Sequence, residues 1–289
     1  MTTPRTQPHM TLRFLPSAMT VAAICLGLTA VKYAQDPSLS VRSRATWAMA
    51  LLVLAAVLDA LDGRVARVLK ATSKMGEEID SLADAVNFGV APAFIVYATL
   101  LPHSRVGWIV VLLYTVCIVL RLARYNAMLD EDEPAYAKEY FVGMPAPAGA
   151  IGSIGPLAAK MQFGDGWWTS EWAVSIWMIG VSLLVVSAIP MRKIHTFSVP
   201  PNMVVPLLAL LAIGVTAAIF YGYLVIIAII IAYVIHIPFA VRSKRWAAAH
   251  PETWDKKPQQ RRAQRRATRR ATHPHRRSMA RLGLRRPQR

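Results

Sequence analysis

The run Asp59-Ala-Leu-Asp62-Gly63-Arg-Val-Ala66-Arg67, followed eight residues later by Gly76-Glu-Glu-Ile-Asp80-Ser-Leu-Ala-Asp84, decides how this chain is read. Asp59 and Asp62 close an apolar stretch that begins at Thr46, and Asp80 and Asp84 open another that continues from Ala85 to Pro102. A carboxylate at the centre of a membrane helix costs about 2.5–3.5 kcal/mol on insertion scales, so four unpaired ones would cost on the order of 10 kcal/mol. Something cationic must offset that. Spacings of three and four residues put each pair on one helix face about one turn apart, so two faces can converge four oxygen donors. Such a hard-oxygen cluster suits Mg²⁺ or Mn²⁺ rather than zinc, which favours nitrogen and sulfur.

Working outward, the chain has 289 residues, of which 55% are hydrophobic and 17% charged. Its mean hydropathy is +0.37. That is too apolar for a soluble domain and points to an all-α, polytopic transmembrane helix bundle. Phe14–Val31, Ala85–Pro102 and Val106–Leu120 are charge-free, and Asn202–Ile235 is long enough for two helices turning near Tyr221-Gly222. Thr46–Leu58, Met144–Ala159 and Trp172–Ile189 complete an expectation of about eight spans. The first apolar segment has no small-residue cleavage site, so it is expected to be retained as a span.

Arg5, Arg13, Lys70, Lys74, Arg121, Arg124, Arg192 and Lys193 fall in alternate loops, which places both termini in the cytoplasm. Arg42, Arg44 and Arg105 make that bias imperfect. Trp167, Trp168 and Trp172 read as an interfacial aromatic anchor. Cys25 and Cys117 read as packing residues within spans, and His195 and His236 lack neighbouring ligand partners.

The net charge of +17 is local, because residues from Arg242 onward hold 17 Lys and Arg against only Glu252 and Asp255. The expected division is therefore a cytoplasmic segment 1–13, a membrane catalytic domain 14–241 and a basic, disordered tail 242–289. Paired arginines such as Arg261-Arg262 and Arg265-Arg266, directly after the last span, suit either anionic lipid or a solvated tail that fixes topology. Nucleic-acid binding is not expected from a charge so placed.

With all eight fixed positions at their spacing, the 59–84 segment resembles the signature of the CDP-alcohol phosphotransferase family. DGRVAR, then DSLADAVNFGVAPA from Asp80, RLARYN from Arg121 and GMPAP from Gly143 are similar to bacterial-type phosphatidylserine synthases within that family. The resemblance departs at Pro16-Ser17, where relatives often carry Pro-Asn, and leaves the arginine-rich tail unassigned. It implies a cell-membrane enzyme, working as a homodimer at the cytoplasmic face, that transfers the phosphatidyl group of CDP-diacylglycerol to L-serine with release of CMP.

By that resemblance, Asp59, Asp62, Asp80 and Asp84 hold Mg²⁺ or Mn²⁺, and Asp84 is also the general base. Gly63, Ala66, Arg67, Ser73 and Gly76 bind CDP-diacylglycerol, although helix packing alone would also select small residues at 63 and 66. Arg121 and Arg124, with Asn87 and Asn126, form the expected serine pocket, while positive-inside anchoring accounts equally for the two arginines. Gly143, Pro145 and Pro147 are expected to shape the start of a helix, and Gly89 and Pro92 to bend one. Two other readings compete: the same chemistry with inositol phosphate or glycerol phosphate as acceptor, and a divalent-cation transporter with the aspartates along its path.

Overall fold

The computed structural model describes residues 14–128, 140–192 and 204–250, together with 260, 263, 264 and 266–268. Helices α1 (Leu15–Gln35) and α2 (Val41–Val68) form an antiparallel hairpin. Its turn is set by polar side chains: Asp36 Oδ1 accepts from the Ser38 backbone N–H at 3.0 Å, and Ser40 caps α2 by accepting from the Ser43 N–H at 3.1 Å. The seam is lined by small residues. Ala23, Ala30 and Ala34 on α1 and Ala45, Ala48 and Ala55 on α2 are buried, so the two backbones approach closely without competing side chains, while Gly27 turns to Asn87 and Ala91 of the third apolar helix.

The third apolar helix runs without a break from Lys74 to Leu100 but changes winding. Helix α3 (Lys74–Asp84) passes into a π-helical segment (Ala85–Val90) and then α4 (Ala91–Leu100). Pro92 has no N–H to give to the carbonyl of Phe88 four residues earlier. The hydroxyl of Tyr114, fully buried on α5 (Arg105–Met128), donates to that carbonyl instead at 2.8 Å. Gly89 permits the close approach, since a Cβ there would stand 3.2 Å from Ile118 Cγ2. Gly89 and Pro92 thus mark the irregular winding that the sequence suggested.

The expected span Met144–Ala159 is instead two short helices, α6 (Ala146–Ser153) and α7 (Gly155–Phe163), separated at Ile154. Gly155-Pro156 explains the break, because proline is accommodated in a first helical turn and not in an interior. Helix α8 (Glu171–Val186) follows, with Ser170 as its N-cap, and then α9 (Val204–Phe220) and α10 (Gly222–Ala248). Strands β1 (Tyr140–Val142) and β2 (Pro190–Arg192) pair antiparallel as a small clip. At its end Gly143 adopts φ +77°, and a Cβ there would stand 2.6 Å from the Ser187 carbonyl oxygen.

Among the described residues, five helices are long and apolar enough to cross a membrane: Leu15–Gln35, Val41–Val68, Lys74–Leu100, Arg105–Met128 and Gly222–Ala248. The polytopic all-α reading stands, while α6, α7, α8 and α9 are shorter than the spans expected for them. The boundary drawn at residue 241 falls inside α10, which continues to Ala248 with Ala247 buried. Of the tail, Gln260, Ala263, Gln264, Arg266, Ala267 and Thr268 are described and are helical. Arg5, Arg13, Lys193 and His195 lie outside the described residues. Trp167 and Trp172 are exposed, as an interfacial anchor requires.

Candidate active site

Helix α2 carries Asp59 and Asp62 towards α3, which brings Asp80 to meet them. One carboxylate oxygen from each of the three lies within 4.8 Å of the others. Asp84, one turn beyond Asp80, interacts with Asp59 and with the Arg121 guanidinium of α5. Asp62 is only 2% exposed, and the Thr20 hydroxyl of α1 lies 2.5 Å from its Oδ2. Among the described residues, Asp59 Oδ1 and Asp62 Oδ1 are buried without a hydrogen-bond partner. Three convergent carboxylates with orphaned oxygens, in surroundings that disfavour net charge, are the donor set that a hard divalent cation satisfies.

Beside this cluster lies a cavity of about 180 Å³, lined by Asp62, Asp80, Gly63, Ala66, Arg67, Ser73 and Gly76 as well as Pro16, Ser17, Thr20 and Thr72. Every residue expected to bind the nucleotide lipid is thus on one wall. Gly63 is open to it, since a Cβ there would meet nothing within 4 Å; packing therefore does not account for the absence of a side chain. Arg67 folds back over the same turn, its Nε donating to the Gly63 carbonyl at 3.1 Å.

The loop between α2 and α3 is tied down at both ends. Lys70 N–H donates to Arg67 O and Ala71 N–H to Ala66 O, the paired bonds of a Schellman motif, with Lys70 at φ +50° where glycine is usual. Ser73 caps α3 by accepting from the Gly76 N–H at 3.1 Å, and a Cβ on Gly76 would sit 3.1 Å from that hydroxyl. The α3 N-terminus therefore opens on the cavity with its positive dipole end, beside Arg67.

The four residues expected to hold serine separate into two kinds. Arg121 is 9% exposed and Asn87 fully buried, and Arg121 Nε and both Asn87 amide atoms lack partners among the described residues. Asn87 packs against α1 so closely that its Oδ1 occupies the place of a Gly27 side chain. Arg124 and Asn126 are exposed and engaged by the protein. Arg124 donates to the Val186 carbonyl at 2.7 Å, tying α5 to α8, and Asn126 donates to Ser81 Oγ at 3.1 Å.

Thr20 and Thr72 were missed because nothing in their local sequence marks them, and only the fold brings α1 to Asp62; Ser17, where the resemblance departs, also lines the cavity. Tyr233 on α10 was missed for the same reason as Thr20; its hydroxyl is buried without a partner among the described residues and lies within electrostatic reach of Arg121. A second, almost wholly apolar cavity of about 770 Å³ lies between α6, α8 and α10, with Met144, Ala148, Trp177, Gly180, Ile230 and Tyr233 among its walls.

Comparison with known proteins covers the same part of the chain. Residues 13–187 match the CDP-alcohol phosphatidyltransferase family, a stretch that contains the whole carboxylate cluster and its cavity. The chain is 63% identical over 287 residues to the CDP-diacylglycerol–serine O-phosphatidyltransferase of Mycobacterium tuberculosis, covering 99% of this chain and 98% of the relative. It is 56% identical over 285 residues to the protein of the same name from Mycobacterium leprae, covering 98% and 93%. With the one from Helicobacter pylori strain J99 it shares 39% identity over 145 residues, half of this chain and 57% of the other. The chain belongs to the CDP-alcohol phosphatidyltransferase family.

Proposed function

We propose that this protein transfers the phosphatidyl group of CDP-diacylglycerol to the hydroxyl of L-serine, giving phosphatidylserine and CMP. For the transfer chemistry, the observation that carries the reading is the meeting of Asp59, Asp62 and Asp80 at the wall of the cavity that holds Gly63, Arg67 and Ser73. For serine, the support is the activity named for relatives that match nearly end to end.

In this reading Asp59, Asp62 and Asp80, with Asp84 beside them, hold Mg²⁺ or Mn²⁺, which when bound offsets the charge growing on the departing phosphate. Arg67 and the N-terminal N–H groups of α3 hold the pyrophosphate oxygens, and the bare face at Gly63 and Ala66 admits the nucleotide. Asp84 takes the proton of the serine hydroxyl as its oxygen attacks the phosphatidyl phosphorus. The new serine O–P bond forms as the bond from that phosphorus to the CMP oxygen breaks, and CMP leaves with the electron pair. Arg121, next to Asp84, receives the serine carboxylate. A dianionic acceptor such as glycerol phosphate would call for a denser cationic pocket than one buried arginine, with Arg124 occupied by Val186.

Location and assembly belong to the same reading. Arg67, Lys70 and Lys74 flank the carboxylate end, which suits a site at the cytoplasmic face of the cell membrane with both termini on that side. The enzyme acts as a homodimer, as the resemblance implies, and its basic tail rests on anionic lipid.

The test is CMP release by purified protein in detergent with CDP-diacylglycerol and Mg²⁺ or Mn²⁺. Serine should support release and chelator should stop it; release only with glycerol phosphate or inositol phosphate would refute the serine assignment. Asp84→Asn should lower turnover by about a thousandfold or more while retaining CDP-diacylglycerol binding, consistent with loss of a general base at a metal site.

A further inference from the structure

Tyr233 lies outside the family-matched residues 13–187, in the largely apolar middle of α10. It lines the large apolar cavity, and among the described residues its buried hydroxyl has no hydrogen-bond partner, with the Arg121 guanidinium within electrostatic reach. Arg121 Nε, on a side chain 9% exposed, likewise has no partner among the described residues. A guanidinium only donates, and it leaves the tyrosine proton nothing to bond, so the two groups share one deficit, an acceptor. A buried donor left unmade is costly, and a carboxylate, with two oxygens and about four lone-pair sites, satisfies both at once.

From this juxtaposition, and resting on the phosphatidyl-transfer reading above, we infer that Tyr233 is a substrate-binding residue that completes the acceptor pocket by donating its hydroxyl to the carboxylate of the amino-acid acceptor held by Arg121. Arg121 supplies the charge and Tyr233 the second direction. Together they orient the acceptor so that its hydroxyl faces Asp84. A site that binds its substrate through a buried hydrogen bond discriminates strongly against an acceptor lacking the matching group, so Tyr233 also becomes a determinant of specificity for amino acids over neutral alcohols.

The test is steady-state kinetics of CMP release by wild type and Tyr233→Phe. The variant should raise KM for serine about tenfold or more, with kcat within about threefold and KM for CDP-diacylglycerol unchanged, the pattern of lost binding to a charged group. Serinol, which lacks the carboxylate, should be used equally poorly by both proteins. Ile230→Ala, one turn away in the same cavity wall, should leave KM for serine unaltered. An unchanged serine KM in Y233F, a parallel fall in every parameter, or an equal effect of I230A would each overturn the inference. Those outcomes are distinct from failure of the underlying reading, in which the wild type itself would show no serine-dependent release.

Discussion

The α1–α2 seam and the space between α6, α8 and α10 are both apolar and both within the bundle, yet they are built oppositely. The seam is lined by buried alanines of both helices, and α1 is packed as closely on its other side, where Asn87 of the π segment fills the place of a Gly27 side chain. The other region leaves about 770 Å³ open between aromatic and branched walls. The seam reaches Thr20 and Asp62, so its tightness fixes the position of one carboxylate of the candidate metal cluster. The open region has Tyr233 in its wall. Close packing therefore accompanies the groups that must hold one geometry, and loose packing the side from which a lipid-soluble molecule can be accommodated.

One substitution, glycine to alanine, made at three places tests that contrast. Gly27→Ala should be the most damaging, because its methyl meets the buried Asn87 amide where α1 is packed against the π segment. A loss of about 1–3 kcal/mol, read as a lowered midpoint of thermal unfolding in detergent, is expected for overpacking a filled core. A neutral result would mean that α1 is packed more loosely there than the Asn87 contact implies. Gly63→Ala has open space, so its damage should fall on binding instead: KM for CDP-diacylglycerol should rise about tenfold, reflecting about 1.4 kcal/mol of lost contact, with stability not lowered but raised by about 0.5–1 kcal/mol through helix propensity. Gly180→Ala, also with nothing within 4 Å and on the wall of the large cavity, should raise stability by about 0.5–1 kcal/mol through helix propensity alone. Equal effects at Gly27 and Gly180 would dissolve the comparison.

The carboxylates were legible from sequence because an aspartate in an apolar run is itself costly, whereas the nucleotide wall was legible only through the family resemblance that the 59–84 signature carries. Two kinds of information were not. Which face of α5 turns inward depends on the helices around it, so Arg121 and Arg124, three residues apart, looked equivalent although one is buried and the other caps α8. Contacts between distant elements were equally hidden, since the Thr20–Asp62 and Tyr233–Arg121 approaches join segments with no shared local pattern. The eight-span count was built from hydrophobic runs, and such runs do not reveal that Gly155-Pro156 would divide one of them into two short helices.

The π segment between Asp84 and Ala91 separates two jobs that one regular helix would have to share. A π turn holds about one residue more than an α turn, so the side chains beyond it are rotated relative to those before it. Asp80 and Asp84 can thus face α2 while Phe88, Ala91 and Ile95 remain in the core, and a change of register on either side need not disturb the other. Removing one residue from 85–90 would restore an unbroken α-helix and turn the whole of α4 about 100° away from its present neighbours. The irregular turn is in this sense a swivel, letting the chemical end and the membrane end of one helix be set independently.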